Sequence, residues 1–568
     1  MMAAVAVCGP VGRFAVARQT DLRRQIGRHA TCLYHQLLPT EGESACPFHQ
    51  PARSQPQPVK SYQQIPTPRS RFLVGTLLDV LANGGAPKIH EYSDKRHRQF
   101  GPIYRETLGS VEAVFVADGQ LIQRVYQNEG KYPMHMVPEP WTLYNKKTGK
   151  QRGLFFMDGP LWNQRRRSLN KVFLRQKTVA EYADVFNGVV TDLLNRWRFI
   201  RDENKVVQDL EKELYNWSVE SLGTMIFGRR LGCVDSDHRK DGMHEFVHCV
   251  QQIFRESAKM TMIPPRLAYM LKLPVWRRFV RAADKALYLA KDYVEENVAE
   301  IVAKAGSGQT VDGVLSQLLL QEDIKEDEIV RIIIDLFLAA ADTTSHATQW
   351  ALYLLAKNPE CQERLFQDIQ KVVEPGETIN EKHLPQLPYV KGVIKEALRL
   401  YPVAPFLTRV LSHDLVLGGY EIPAGKLILM SLYTTGRDEK QFENPSKFMP
   451  ERWIRQEQQD VVNTHACLPF GIGSRSCIGR RVAEMKMQFL IARTIQQFKL
   501  KPANKRDVDI HMRMITTRMN QLHFKPKTER NREDNWSIDR ITKRSNDARP
   551  VVTRRGEEAG KDDPARDF

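Results

Sequence analysis

One cysteine, Cys477, lies in a glycine-rich loop that runs from Phe470 to Gly479 and reads FGIGSRSCIG. Glycines let a backbone turn tightly and approach a flat ligand closely. Backbone N–H groups and the positive end of the helix predicted to follow favour a deprotonated sulfur, and Arg475 is placed to meet an anionic group. The loop indicates either a nest for a metal-bound thiolate or a buried structural thiol, the usual state of a lone cysteine.

An acid and an alcohol stand together near the middle of the longest predicted helix, 325–357. Three alanines come directly before Asp342 and Thr343, and small residues thin a helix where another group must approach. A threonine inside a helix can offer its hydroxyl to the backbone, and such a groove can hold water and deliver protons. The alternative is a helix–helix contact through small residues, with Asp342 in a surface ion pair.

Another predicted helix carries Glu396 and Arg399, which share one face because they are three residues apart. Arg452 is a second guanidinium that can meet Glu396, and the three residues would then form a rigid buried clasp. Lys391 and Lys395 point about a quarter turn away from that pair, so they are expected to face solvent. The alternative for all of these residues is a solvated charged stripe.

Four further residues are suited to binding carboxylates. They are Trp162, Arg166, Arg409 and Arg475. The first two lie four residues apart on a predicted amphipathic helix, and the set offers one indole N–H and three guanidiniums. Ordinary surface charge is the alternative for each, but together they match the needs of a haem with two propionates.

The elements that must position these residues are mainly helical up to about Leu400. Helices are predicted over 162–173, 179–204, 210–227, 243–260, 278–305 and 325–357. Short strands are predicted over 104–109, 113–117, 414–419 and 427–430, and again near 512–525. The fold class is therefore mainly α with a smaller β-rich part.

The charge balance limits the kinds of partner. The chain has 568 residues, 84 of them basic and 67 acidic, and a formal net charge of +17. A basic surface suggests an acidic protein, an anionic membrane or nucleic acid. The sequence has no zinc-finger spacing and no regular basic–aromatic stripe, so no nucleic-acid partner is expected. Eight scattered cysteines without a C-x-x-C pair are typical of a reducing compartment.

The two ends of the sequence differ in composition from the rest. Residues 1–40 hold five arginines, one acid and no lysine among apolar residues, which favours an amphipathic mitochondrial transit peptide over a disordered start. Residues 41–61 form a Pro/Gln-rich linker, and the charged segment 528–568 is expected to be a disordered tail. No segment has the run of about 20 apolar residues that spans a membrane.

Five motifs occur in one order: Trp-x-x-x-Arg, Ala-Asp-Thr, Glu-x-x-Arg, Pro-Glu-Arg and Phe-x-x-Gly-x-Arg-x-Cys-x-Gly. Together they make residues 62–527 resemble the cytochrome P-450 superfamily. The resemblance implies that family's fold, haem b as cofactor and O2-dependent monooxygenase activity. Cys477 is then the axial ligand of the haem iron, with Phe470 and Gly471 in the cofactor-binding loop.

The same resemblance assigns the remaining motif residues. It implies that Trp162, Arg166, Arg409 and Arg475 bind the haem propionates. Asp342 and Thr343 would deliver protons, while Glu396, Arg399 and Arg452 would be a structural clasp. The sequence departs from the family pattern at Ala340, where a glycine is common. The added methyl group narrows the groove and makes the shape of the pocket harder to predict.

Lys391 and Lys395 indicate the subtype, because mitochondrial members use such a basic pair to dock an acidic, adrenodoxin-like 2Fe–2S ferredoxin. Arg480 and Arg481 are also similar to that group. The expected location is the matrix side of the mitochondrial inner membrane, with peripheral membrane contact through the mixed apolar and basic segment 261–278. The alternative for this segment is a packed connection between helices. The positive net charge would steer the acidic ferredoxin.

Segments near the expected substrate pocket resemble mitochondrial hydroxylases that act at C-2 of ecdysteroids. These segments are 84–86, 141–145, 151–157 and 400–406. The implied reaction converts 2-deoxyecdysone to ecdysone, in a pocket expected to include Trp141, Phe337, Ala341, Val403, Phe406 and residues near Ile515. Four alternatives stay open: another mitochondrial steroid hydroxylase, a detoxifying monooxygenase, a haem-thiolate isomerase or lyase, and a haem sensor without turnover.

Overall fold

Helices dominate the computed structural model, which describes residues 58–71, 74–109, 111–149, 153–234, 241–260, 263–306, 313–321, 324–454, 464–503 and 522–526. Every helix and strand of these residues belongs to one unit, Val59–Phe568. The predicted transit segment 1–40, most of the linker 41–61 and the tail 528–568 lie outside the described residues.

Seventeen α-helices occur in the part of the chain that the structure describes. The first nine are α1 (Leu77–Ala82), α2 (Ile89–Phe100), α3 (Gly119–Gln127), α4 (Glu139–Thr148), α5 (Gly159–Phe173), α6 (Gln176–Ala180), α7 (Ala183–Ile200), α8 (Leu210–Phe227) and α9 (Asp241–Lys259). The others are α10 (Pro265–Met270), α11 (Pro274–Gly306), α12 (Val314–Leu319), α13 (Glu326–Lys357), α14 (Pro359–Val372), α15 (Pro388–Leu400), α16 (Leu432–Thr435) and α17 (Arg480–Gln497).

The strands form small sheets beside the helices. They are β1 (Ile103–Leu108), β2 (Val111–Val116), β3 (Val206–Val207), β4 (Phe406–Val410), β5 (Leu415–Leu417), β6 (Tyr420–Ile422), β7 (Leu427–Ser431), β8 (Phe498–Pro502) and β9 (Leu522–Pro526). One sheet has the order β1-β2-β7-β4, with β2 and β7 parallel and the other pairs antiparallel. The others are β3-β9-β8 and the hairpin β5-β6, so the sequence correctly predicts a mainly α fold with a smaller β part.

The centre of the helical region is the pair α8 and α13. Nearly every side chain of α8 is buried, as expected for a helix with neighbours on all sides. Helix α13 packs against α8 and also contacts α15, α17 and strand β8. Asn358 and Pro359 end α13, because proline cannot continue the backbone hydrogen bonds of a helix. The alanine-rich middle of α13 is therefore held between neighbouring elements of the fold.

One predicted helix is divided in the structure. The segment predicted as a single helix over 179–204 is α6 and α7, which a turn at Glu181 and Tyr182 separates. Apolar residues continue through this turn, with Val179, Tyr182 and Ala183 all buried, so periodicity alone did not indicate the break. The predicted strand near 512–525 is seen as β9, and residues 504–521 lie outside the described part.

Among the described helices, none combines the length and the apolar character needed to cross a bilayer.

Candidate active site

The cysteine loop, Phe470–Gly479, is a tight turn that leads into α17. The backbone N–H of Cys477 donates to the Phe470 carbonyl at 2.8 Å and closes the loop. Gly471 and Gly473 have φ angles of +64° and +77°, which L-residues rarely adopt. Gly479, in contrast, has an ordinary φ of −85°, so only two of the loop glycines are needed for the turn. A methyl group at Gly479 would meet no protein atom within 4 Å, so that position is open to a flat ligand.

The Cys477 side chain is accessible to solvent. Protein atoms nevertheless surround it closely enough that desolvation raises the pKa of its thiol. The backbone of Gly479 and the guanidinium of Arg166 act in the opposite direction, as the sequence predicted, but desolvation outweighs them. A metal ion would deprotonate the sulfur outright, so a bound iron would supply what the loop does not.

Three arginines converge at the cysteine loop, two of them from other elements and the third, Arg475, from the loop itself. Arg166, on α5, donates to the Ser476 carbonyl at 2.5 Å, next to the cysteine. Arg475 donates to the Pro133 and Met157 carbonyls, and its guanidinium lies 3.9 Å from the ring centroid of Trp162. Arg409 lies on β4. The structure therefore brings together all four residues predicted to bind carboxylates.

Two protein carboxylates accompany these arginines, and the sequence did not indicate either. Glu129 accepts from Arg409 Nε at 2.6 Å, and Asp158 accepts from Arg475 Nη2 at 2.6 Å. A Cβ atom at Gly473 would lie 2.1 Å from a Glu129 carboxylate oxygen, so glycine is also needed there for space. These pairs join segments 280 and 317 residues apart in the chain, a separation that no local pattern reveals.

His135 is a further residue that the sequence did not indicate. Both of its ring nitrogens are buried and lack a hydrogen-bond partner within the described part of the chain. Burial lowers its pKa to about 4, and the positive charges of Arg475 and Arg409 contribute in the same direction. A buried polar group without a partner is costly, so a ligand that reached this ring would relieve the cost.

The unused donors of this group fit a haem. The hydrogen bonds of Arg166, Arg409 and Arg475 leave one terminal guanidinium nitrogen of each without an acceptor among the described residues. Burial, with smaller contributions from the neighbouring Arg409 and Arg166, lowers the pKa of Arg475 to about 10, so an anion is favoured there. An exposed thiol, an open glycine and these donors are what an iron porphyrin with two propionates requires.

The middle of α13 opens on one side. Ala339 is exposed although its helix is otherwise largely buried, and Thr343, one turn later, is half-buried. The Thr343 hydroxyl donates to the Ala339 carbonyl at 2.7 Å, and Ser218 of α8 donates to the Ala340 carbonyl at 3.0 Å. Two successive carbonyls thus accept from hydroxyl groups, the arrangement expected of a helix groove.

Asp342 and Thr343 lie on different faces of α13. The Asp342 side chain is buried, with His346 one turn further along the same helix. Thr343 instead lies on the side that Ala339 leaves open, because residues four apart share a face. The acid and the alcohol are adjacent in sequence, but Asp342 must reach the open side by a change of rotamer or through an intervening group.

Two residues expected in the pocket are part of the core. Phe337 is buried between Phe227 and Phe246, with ring centroids 6.0 Å and 5.8 Å away. Ala341 is also fully buried. The open face of α13 is instead formed by Ala339 and Thr343. It is displaced around the helix from the face of Phe337 and Ala341 that the sequence predicted.

A short segment, 153–158, connects α13 with the cysteine loop. Asp335 of α13 accepts from the Phe155 N–H at 2.9 Å, and burial raises the pKa of its carboxyl to about 7. At the other end of the segment, Asp158 binds Arg475. The space between α13 and the cysteine loop, which this segment borders, is called the cleft below. Phe155 has half of its surface exposed at this border.

The predicted clasp is assembled from two distant segments. Glu396 accepts from Arg399 at 2.7 and 2.9 Å and from Arg452 at 3.2 Å. It also accepts from Trp453 Nε1 at 2.9 Å and from the Met449 N–H at 3.0 Å. Glu396 and Arg399 have no solvent-exposed surface in their side chains.

Lys391 and Lys395 are exposed on the same helix, α15, whose other residues from 392 to 400 are all buried. Lys395 also lies 5.5 Å from the ring of Trp453, which ties its position to the clasp. The helix therefore presents two ammonium groups to solvent over a rigid base.

The family model for cytochrome P-450 matches residues 65–526 of the chain. A Drosophila melanogaster protein named cytochrome P-450 315a1, mitochondrial, is 38% identical over 492 residues, which cover 83% of this chain and 91% of the relative. The rat mitochondrial sterol 26-hydroxylase is 33% identical over 463 residues, covering 79% and 86%. The human mitochondrial 25-hydroxyvitamin D-1 alpha hydroxylase is 32% identical over 453 residues, covering 78% and 88%.

Proposed function

The chain belongs to the cytochrome P-450 family of haem-binding monooxygenases, and on that premise we propose that it is a mitochondrial steroid hydroxylase acting at C-2 of an ecdysteroid. The reaction would convert 2-deoxyecdysone to ecdysone. The support for this substrate is the resemblance of four segments to Shadow, the mitochondrial ecdysteroid C-2 hydroxylase. The segments are 84–86, 141–145, 151–157 and 400–406. The 38% identity of the chain to the relative named cytochrome P-450 315a1, over 83% of the chain, is consistent with that resemblance.

The observation that carries the reaction class is the convergence of Cys477 with three arginines at one cleft. Cys477 would be the axial ligand, on a loop whose carbonyl oxygen Arg166 fixes. Trp162, Arg166, Arg409 and Arg475 would bind the propionates through donors that the protein leaves unused. Phe470 and Gly471 begin the loop, and the Phe470 carbonyl closes it onto Cys477.

When bound, thiolate-ligated haem supplies the activation of O2, so that one oxygen atom enters a C–H bond and the other leaves as water. The chain's own residues orient the substrate and move protons. Thr343 is placed to hold a proton donor on the open face of α13, because its hydroxyl is already anchored to the Ala339 carbonyl. Asp342 would supply that proton from the buried side of the helix.

Electrons would come from an acidic, adrenodoxin-like 2Fe–2S ferredoxin that docks on Lys391 and Lys395. Both ammonium groups are exposed on α15, while Glu396, Arg399 and Arg452 would hold that helix rigid as a structural clasp. Opposite charges increase the rate of encounter between two proteins. The names of the relatives support a mitochondrial location, and we place the enzyme on the matrix side of the inner membrane.

Peripheral membrane contact would be made by α10 and the start of α11. Leu267, Met270 and Leu271 expose 44%, 71% and 61% of their surfaces there. Met270 lines an open surface pocket of about 850 Å³ together with Trp276 and Arg277, and this mixture of apolar and cationic groups is suited to an anionic lipid surface. Leu267→Glu with Met270→Glu should weaken binding to vesicles of cardiolipin and phosphatidylcholine. Unchanged binding would remove this contact.

A second candidate is hydroxylation at another position of a sterol, or of a foreign compound. The relatives named sterol 26-hydroxylase and 25-hydroxyvitamin D-1 alpha hydroxylase favour it, because they resemble the chain over a similar length. The residues proposed for haem binding and proton delivery serve either candidate equally. Only the substrate distinguishes the two.

Reconstituted turnover tests the proposal. The haem-loaded enzyme, a mitochondrial ferredoxin and its reductase are incubated with 2-deoxyecdysone, cholesterol and 25-hydroxyvitamin D3, and the products are identified by mass spectrometry and NMR. We expect ecdysone as the main product and little conversion of the other two. Hydroxylation of another carbon, or preference for another sterol, would contradict C-2 hydroxylation but not the monooxygenase class.

A further inference from the structure

His346 is a buried histidine that the proposed reaction does not yet use. It lies on α13 one turn after Asp342 and exposes only 1% of its surface. Its Nδ1 is 2.6 Å from the Asp342 carbonyl oxygen and 3.8 Å from the carboxylate oxygen Oδ1. Its Nε2 is buried, has no hydrogen-bond partner in the described part, and lies 3.7 Å from Glu211 Oε1.

The groups that face this ring are mostly acidic. Glu211 approaches from α8 and Asp342 from the histidine's own helix, while Tyr215 of α8 lies near Asp342. Burial lowers the pKa of His346, but Glu211 and Asp342 together outweigh it and leave the pKa raised. The pKa of the buried Tyr215 hydroxyl is well above its usual value, so that group stays neutral. The ring is therefore poised to carry a proton between two carboxylates.

Glu211 connects this ring with solvent. It lies in the first turn of α8, and its side chain is 37% exposed, whereas the Asp342 side chain is only 6% exposed. The carboxylate, the imidazole and the second carboxylate therefore follow one another from the surface to the middle of α13. Separations of 3.7 and 3.8 Å exceed a hydrogen bond, and small side-chain movements close such gaps in a reacting complex.

We propose that Glu211 and His346 form the entry path by which protons reach Asp342 from solvent. This inference rests on the proposed monooxygenase function, since it deepens the proton-delivery role of Asp342. A proton passes from the Glu211 carboxyl to Nε2, and the Nδ1 proton passes to the Asp342 carboxylate. The ring gains one proton and loses one, so its net charge is unchanged. His346 acts through Asp342 and touches no reacting atom.

A matched pair of residues elsewhere in the chain provides the control. His383 lies 3.6 Å from Glu377, nearly the same separation, near the start of α15 and away from Asp342. The test variants are His346→Gln and Glu211→Gln, and the controls are His383→Gln and Glu377→Gln. Glutamine keeps a hydrogen bond to the Asp342 carbonyl possible but cannot transfer a proton. Haem content and thermal stability of each variant show whether the fold is intact.

The experiment measures the fraction of reducing equivalents recovered as product, the solvent deuterium isotope effect and the pH profile of kcat. We expect His346→Gln to lower kcat about 10–100-fold, with more hydrogen peroxide and a larger isotope effect. This loss is at or below the lower end of the roughly 100–10,000-fold typical of a direct general acid or base, because His346 acts through Asp342. Wild-type kcat should fall as pH rises through the raised pKa of His346, and the variant should lack that fall. Glu211→Gln should give a smaller loss, since water can still reach the ring.

Other outcomes decide against the path. If His346→Gln keeps the coupling, isotope effect and pH profile of His383→Gln, the histidine is only structural and the inference is wrong. The same holds if His346→Gln loses stability alone. Failure of the proposed substrate is a separate result, because the wild-type enzyme is first tested on the sterol panel and the variants are compared on whichever sterol it converts.

Discussion

The clasp and the cleft are built from the same kinds of group but differ in how completely those groups are paired. Around Glu396, two arginines, an indole and a backbone N–H fill the acceptor positions of one fully buried carboxylate. In the cleft, Arg409 and Arg475 also bind carboxylates, yet each retains an unused nitrogen. His135 has two buried ring nitrogens without a partner in the described part of the chain.

This difference separates a structural cluster from a binding site. A closed set of buried charges holds two segments together, and breaking it leaves an uncompensated charge. An open set of donors beside an exposed thiol is poorly satisfied by the protein alone and is completed by an anionic ligand. Two cysteines show the same contrast in exposure, since Cys467, beside the clasp, is half-buried, whereas Cys477 is exposed at the cleft.

The largest effect is expected in the clasp. Glu396→Gln removes the buried charge between Arg399 and Arg452 and should lower the free energy of unfolding by about 3–5 kcal/mol. Urea unfolding followed by circular dichroism measures this. Glu443→Gln, an exposed residue near the clasp, is the control and should change stability little. Equal stability of the two variants would mean that the clasp is not the closed cluster described.

A change in the cleft should instead affect the ligand more than the fold. Arg475→Gln removes a propionate donor, and loss of one charged hydrogen bond should raise the haem dissociation rate on the order of 10–100-fold. Transfer of haem to apomyoglobin measures that rate. Asp158→Asn, which removes only the partner of Arg475, should retain haem. If Arg475→Gln loses stability as Glu396→Gln does but keeps haem, the two regions do not differ as proposed.

The outer face of the clasp helix gives a smaller effect. Lys391→Glu with Lys395→Glu should raise the KM for ferredoxin about tenfold and weaken its dependence on salt, because opposite charges steer the encounter. Haem content should not change. The paired control is Lys382→Glu with Lys440→Glu, two exposed lysines elsewhere. Identical ferredoxin kinetics for the two double variants would refute docking on α15.

Lys486, which is buried in α17, is expected to make the stability of the protein depend on pH. It donates to the Ser218 carbonyl at 2.9 Å, and burial lowers its pKa from 10.5 to about 7. The unfolded chain then binds more protons between about pH 7 and 10.5, so stability should rise with pH in that window. Lys486→Met removes this rise. Thermal unfolding at pH 7 and pH 9.5 should show the wild type gaining several degrees on the variant, a few kcal/mol at most.

The exposed Lys440→Met serves as the control for that measurement and should keep the pH dependence of the wild type. A Lys486→Met protein with the wild-type pH dependence would show that this lysine does not titrate in the window.

Local patterns predicted most of the helices and the position of each motif. Glu396 and Arg399 were expected to pair because they share a helix face, and the exposure of Lys391 and Lys395 follows from the same geometry. Helix α13 was expected from its long periodic run and its end at Pro359. These features depend on residues within a few turns of one another, so the sequence contains them directly.

Long-range contacts were beyond such patterns. Glu129, just after α3, pairs with Arg409 on β4, 280 residues later in the chain. No pattern near either residue indicates this ion pair. The desolvation that raises the pKa of Cys477 was also beyond local patterns, because it depends on neighbours from the whole fold. The face of α13 that opens onto the cleft could not be chosen before its packing against α8 was known, and Phe337 was therefore misplaced.

The central assignment is Cys477 as the iron ligand. The carbon monoxide spectrum of the reduced, haem-loaded protein tests this assignment directly. Wild type and Cys467→Ser should both show the red-shifted band of thiolate-ligated haem, and Cys477→Ser should lack it. Retention of that band in Cys477→Ser, or its loss in Cys467→Ser alone, would contradict the assignment of the cleft as the haem site.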